Sequence, residues 1–180
     1  MFAEKLLSAY LAGESLDIVL HHSRYVAALA LGVCDHLSLG VDDRTFIEEA
    51  ALLHDIGVSQ VYAPDIGLHG AHPYIMHGVL GRAILEKEGY PLHGLVCERH
   101  IGVGLTVADI ERQQMPLPRR DMCPVSLCEQ IICFADLFYS KTPGKLSVRK
   151  SSEKIRKKLA SFGDDKVVVF DSWLKQFWGV

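Results

Sequence analysis

The sequence predicts an all-α fold, a single-domain helical bundle over residues 1–180. Three observations carry that expectation. Apolar residues recur at three- and four-residue intervals almost throughout. Capping residues, glycines and prolines fall where these stripes begin and end. The one run with strand propensity, Val167 to Val169, has no second strand to pair with, and Val167, Phe170, Leu174 and Phe177 also fit a helix face.

Each element follows from its own pattern. Ser15 is placed to cap a helix running to about His36, with Ile18, His22, Val26, Leu29 and Val33 on one face. Asp42 or Asp43 caps a second helix, whose stripe is Phe46, Ile47, Ala50, Ala51 and His54 and which Gly57 is expected to stop. A loop rich in Gly, Pro and His follows to residue 72. Pro73 suits the first turn of a third helix bearing His77, Leu80, Ile84 and Leu85, broken at Gly89-Tyr90-Pro91. A short helix then carries Leu95, Val96 and His100. Residues 106–123 read as a short helix and a loop. Pro124 opens a further helix with Val125, Cys128, Ile132, Asp136 and Tyr139 on one side, ended by Thr142-Pro143-Gly144. The tail, 145–180, reads as helical, and its basic segment from Lys145 to Lys158 as an exposed helix face.

Composition narrows the function classes. A net charge of −3 argues against a general nucleic-acid binder. The five cysteines are odd in number and form no CxxC, so free thiols in a reducing cytoplasm are expected, not a disulfide framework or a zinc knuckle. Glu4 and Lys5 interrupt the N-terminal apolar stretch, so no signal peptide is expected, and no run suits a membrane span. The aromatic C-terminal end, with Phe170, Trp173, Phe177 and Trp178, is open to two readings: a homodimer contact or packing on the chain's own core.

The unusual feature is a set of polar residues on apolar faces. His22, His54 and Asp136 lie on the inward stripes of three helices, Asp55 adjoins His54, and His77 and His100 sit near the ends of two more. Each would need its own buried partner. One shared cation satisfies them together, and imidazole and carboxylate suit Fe, Mn, Zn, Ni or Co. His21 lies off the stripe that His22 shares, and His36 and His93 read as ordinary helix-end or surface residues.

The order His22 … His54-Asp55 … Asp136, in the contexts HHSRYVAALAL, ALLHDIG and CFADLFYSK, resembles the HD superfamily of metal-dependent phosphohydrolases. His77 in MHGVLGRAIL and His100 in RHIGVGLT resemble the two further histidines of its HDIG-type, two-metal branch. The resemblance covers residues 16–141 and implies an HD-type bundle with one or two divalent ions. By that resemblance His22, His54, Asp55 and Asp136 hold one metal, His77 and His100 a second, and Asp55 bridges them and orients a hydroxide. It implies a small phosphorylated substrate, nucleotide-like; composition, as above, speaks against a membrane or nucleic-acid partner. His69 and His72 stand as candidates for the pocket mouth, where one of them, or else a metal-bound water, would protonate the leaving oxygen. Arg82, Arg99 and Lys141 stand as candidates for binding the substrate phosphate, with Arg119 and Arg120 on the intervening loop. The sequence departs from the branch at Val58, where many members carry a lysine for the substrate phosphate. Two alternatives share this ligand pattern: a di-iron oxygenase of the same fold, and a non-catalytic, metal-stabilised nucleotide-binding module.

Overall fold

A computed structural model describes residues 2–179. The protein is all-α: α1 (Phe2–Tyr10), α2 (Gly13–His36), α3 (Val41–Leu53), α4 (His77–Lys87), α5 (Pro91–Arg99), α6 (Val107–Arg112), α7 (Leu127–Leu137), α8 (Ser152–Ala160) and α9 (Asp164–Trp178). No helix among the described residues is long and apolar enough to cross a membrane.

The long α2 packs against α3 and α7, while α4 and α5 form a second tightly apposed pair. A contiguous core runs from Ala3 and Leu7 through Val26, Ile47, Leu53, Ile132 and Phe134 to Phe177. The C-terminal aromatics are spent on it. Phe170 and Phe177 are fully buried, and Phe134 meets Phe170, Phe177 and Trp178 at ring-centroid distances of 5.9, 5.2 and 4.9 Å. Val167 to Val169 lie inside α9, as the stripe predicts. A smaller apolar cluster, Leu105, Ile110, Leu117 and Met122, sits under the 101–123 segment.

Several boundaries differ from the sequence pattern. Ser15 lies inside the first turn of α2, its hydroxyl donating to the Ala12 carbonyl, and Ala12 is the N-cap. Gly40 is the N-cap of α3, which leaves Asp42 and Asp43 in the first turn, where carboxylates favour the helix dipole. Pro124 does not open α7; Ser126 does, its hydroxyl accepting from the Glu129 amide. The 58–72 loop contains a two-residue hairpin, Tyr62–Ala63 paired antiparallel with Leu68–His69. A 3₁₀ turn begins at Pro73 as N-cap, and His77 opens α4 directly after it.

Gly57 has a different role from the expected stop. α3 already ends at Leu53, and Gly57 sits in a 3₁₀ turn, Ile56–Gln60. A Cβ there would fall 2.0 Å from the His77 carbonyl oxygen and 2.3 Å from the Gly81 amide nitrogen. The glycine is what lets this turn lie directly on α4.

Candidate metal centre

Five helices bring the polar residues to one point. α2 delivers His22 from its middle. α3 ends so that His54 is its C-cap and Asp55 starts the following 3₁₀ turn. α4 begins at His77 and α5 ends with His100 as C-cap. Asp136 comes from the last turn of α7. His22, His54, Asp55, His77 and His100 are all buried, Asp55 completely.

The two oxygens of Asp55 face different partners. Its Oδ2 lies 3.3 Å from His22 Nε2 and 2.9 Å from His54 Nε2. Its Oδ1 lies 3.6 Å from the Nε2 atoms of both His77 and His100. Asp136 Oδ1 is 3.0 Å from His22 Nε2 and 3.6 Å from His54 Nε2. These contacts are short, but among the described residues Asp55 Oδ1 and His54 Nε2 have no partner in hydrogen-bond geometry, and Asp55 Oδ2 has an ion pair with Lys141 at 2.6 Å. Buried polar atoms are rarely left so.

Backbone carbonyls orient three of the rings. His54 Nδ1 meets the Ala51 carbonyl at 2.6 Å, His77 Nδ1 that of Tyr74 at 2.7 Å, and His100 Nδ1 that of Cys97 at 2.8 Å. A carbonyl only accepts, so each Nδ1 carries the hydrogen, and the rings of His77 and His100, which burial keeps neutral, each present a bare Nε2. His77 Nε2 and His100 Nε2 then face one another at 3.1 Å. Two nitrogen lone pairs at that distance repel unless a cation lies between or beside them. Orientation through the far ring nitrogen is also how metal-ligating histidines are normally held.

Electrostatics agree. Burial pushes His100 down to about 3, helped by the neighbouring charges of His54 and His77. Burial likewise lowers His77. Both rings are therefore neutral at neutral pH. Burial also opposes the charged form of His54, but Asp55 and Asp136 outweigh it and raise that ring to about 10. Asp55 and Asp136 sit well below the usual carboxylate range despite burial, which favours their neutral forms; His54 and Lys141 hold Asp55 down, and His22 and His54 hold Asp136 down. One buried and one partly buried carboxylate thus call for positive charge at this point. Two overlapping groups, His22–His54–Asp136 and His54–Asp55–His100, each converge closely enough to hold an ion. This donor set suits a divalent metal.

The centre opens into a cavity of about 550 Å³ lined by His22, His77, His100 and Asp136. Among the proposed phosphate ligands, only Lys141 reaches it: its Nζ lies 2.6 Å from Asp55 Oδ2 and 3.4 Å from His22 Nε2. Arg82 is taken up by Glu86 and Glu98, at 2.7 and 2.6 Å, and Arg99 by Glu129 at 3.0 Å. Arg120 also pairs with the buried Glu98. Neither Arg82 nor Arg99 lines the cavity. His69 is exposed on the small hairpin beside Tyr62, and His72 joins Val61 in a bridge; the cavity lining includes neither. Val58 is fully buried in the core. His21 is exposed and His93 pairs with Glu49 at 3.6 Å.

The basic segment is exposed along α8, as its charge pattern suggests, and it also contributes to the cavity: Lys154 and Lys158 line it, with Lys150 and with Lys166 of α9. Tyr74, Asp109, Gln113 and Ser140 complete its polar wall. A sequence signal existed: Ile155 and Leu159 repeat at four residues inside the charged run and mark an inward face, and both are buried.

Comparison with known proteins agrees with this geometry. The chain is 36% identical over 116 residues to an uncharacterised protein of Methanocaldococcus jannaschii, covering 63% of this chain and 59% of that one. It is 30% identical over 121 residues to the tRNA (cytidine(56)-2'-O)-methyltransferase of Picrophilus torridus, covering 67% of this chain and 31% of the relative. The protein of the same name from Thermoplasma volcanium is 27% identical over 143 residues, 79% of this chain and 37% of the relative. The chain thus spans less than two thirds of the length of each of these relatives. No solved structure matches. The model of the HD domain matches residues 19–139, the stretch holding all six converging donors. The chain belongs to the HD domain family.

Proposed function

We propose that the protein is a metal-dependent phosphohydrolase acting on a small phosphate ester, a nucleotide or a nucleotide-like molecule. The observation that carries this reading is the pair of bare Nε2 atoms of His77 and His100, 3.1 Å apart and both 3.6 Å from Asp55 Oδ1. Together with His22, His54 and Asp136 on the Oδ2 side, they make two half-sites that share one carboxylate. We assign His22, His54, Asp55 and Asp136 to one ion and His77, His100 and Asp55 to a second.

Divalent ions bound there supply charge neutralisation for a phosphoryl group and acidify water. The residues of the chain do the rest. Asp55, buried and ionised, accepts a hydrogen bond from the attacking water and fixes its orientation. Lys141, anchored beside Asp55, presents a cation to the phosphoryl oxygens. It takes the part for which Arg82 and Arg99 are unsuited, because Lys141 lines the cavity and the two arginines, paired with Glu98 and Glu129, do not. The hydroxyl of Tyr74 and the ammonium of Lys141 are the proton-bearing groups on the wall beside the centre that can serve the leaving oxygen; the Tyr74 ring lies on His77 at 4.8 Å. Apolar walls around the cavity strengthen these charge contacts by excluding water.

The test is turnover of p-nitrophenyl phosphate and a nucleotide panel by chelated protein reloaded with Mn, Co, Ni, Fe or Zn. Metal-dependent phosphate release that His54→Ala abolishes supports the reading. A protein holding two irons, without phosphatase activity but with a mixed-valent electron paramagnetic resonance signal, would instead be the di-iron oxygenase.

A further inference from the structure

The cavity has a charged region that the proposed chemistry leaves unused. It comes from the C-terminal segment, outside the stretch that matches the family. Five lysines line the cavity. Three have partners: Lys141 at Asp55, Lys150 at the Leu137 and Tyr139 carbonyls, and Lys166 at Asp109. The ammonium groups of Lys154 and Lys158 have none among the described residues, and both side chains are exposed to the solvent of the cavity rim.

These two lysines are four apart on α8, so they lie one above the other on one helix face. Like charges at that spacing weaken a helix. Ile155 and Leu159 beside them are buried and hold that face against the cavity. Much of the remaining lining is apolar: Ile101, Val103, Leu105, Met115 and Phe162. A volume of about 550 Å³ is that of a typical small-molecule site. The cavity therefore offers one end lined by the His/Asp cluster, an apolar body and a pair of cations without partners among the described residues.

We propose that Lys154 and Lys158 bind a second phosphate of the substrate. The substrate class is an ester with two separate phosphate groups on a body with an apolar face, as in a nucleoside bisphosphate. This deepens the proposed function, which supplies the identity of the first phosphate at the metal centre. A phosphate dianion relieves the repulsion between the two ammonium groups and accepts charge-assisted hydrogen bonds from both. Point-charge recognition by lysine tolerates variation in the body that joins the two phosphates.

The experiment is a binding comparison on the full chain loaded with Mn²⁺, using adenosine 5'-phosphate and adenosine 3',5'-bisphosphate as probes. Isothermal titration gives Kd; where a probe is turned over, KM takes its place. The expected result is a preference of tenfold or more for the bisphosphate, lost in Lys154→Met/Lys158→Met and reduced in the milder Lys154→Gln. Lys157→Met, on the same helix but outside the cavity lining, keeps the preference. The proposal is overturned by a smaller preference in the unaltered protein, by a double variant that keeps it, or by Lys157→Met removing it equally. Absence of p-nitrophenyl phosphate turnover would count against the phosphohydrolase reading alone, because the binding preference is read without chemistry.

Discussion

Replacing Gly57 by alanine tests how the protein holds its donors in register. The added Cβ would sit 2.0 Å from the His77 carbonyl oxygen and 2.3 Å from the Gly81 nitrogen, both backbone atoms. Neither can rotate away. To reach even a tight contact of about 3 Å, the 3₁₀ turn and α4 must separate by about 1 Å. Overpacking by one carbon costs about 1–3 kcal/mol where side chains can adjust. Against rigid backbone the cost should lie at the upper end or beyond, so we expect about 3 kcal/mol. For a chain of this size that lowers Tm by about 6–12 °C. The same movement displaces Asp55, which precedes the turn, from His77, which opens α4. Misplacement of that order costs about 100-fold in catalysis. Urea unfolding in the presence of chelator measures the first effect, and elemental analysis with phosphate-release kinetics the second. A loss under 1 kcal/mol with unchanged metal content would refute the argument that Gly57 exists for close approach.

Other consequences can be checked directly. Metal at 100 times its Kd should stabilise the chelated protein by about 2.7 kcal/mol. Thermal unfolding should show this rise in the unaltered protein and not in Asp55→Asn, which removes the carboxylate common to both half-sites. Lys141→Met should lower kcat/KM for p-nitrophenyl phosphate at least tenfold with metal content retained; loss of bound metal instead would make Lys141 a support for the centre. His69→Ala should leave turnover within twofold, since its ring is exposed outside the cavity lining, and a tenfold loss would restore it to the chemistry. Asp109 bridges α6 to Lys166 of α9 and also accepts from Thr106. Burial raises its pKa, but Lys166 and Thr106 outweigh this and bring it down to about 2. A depressed carboxylate pKa gives stability that is present above pH 4 and lost as pH falls towards 2, here up to about 2 kcal/mol. Asp109→Asn should flatten that part of the acid-unfolding curve, and an unchanged acid limb would contradict the assignment.

Local sequence carried a large part of this protein. Helical spacing marked His22, His54 and Asp136 as inward because a stripe is a property of a single helix. It separated His22 from the exposed His21 for the same reason. Breakers nearby place His54 and His77 at helix ends, but Gly57 answers to α4, twenty residues away, and not to α3. The family motif lay in plain order along the chain.

Only the tertiary structure decided which charges were free. Arg82 and Arg99 stand next to the donors in sequence, but Glu98 and Glu129 arrive through packing and neutralise them. Lys154 and Lys158 stand far from every donor in sequence, yet α8 folds back and sets them on the cavity. Periodicity tells a side chain which way to face. What it meets there depends on contacts between segments distant in the chain, and the charge that matters to a substrate is the one those contacts leave unpaired.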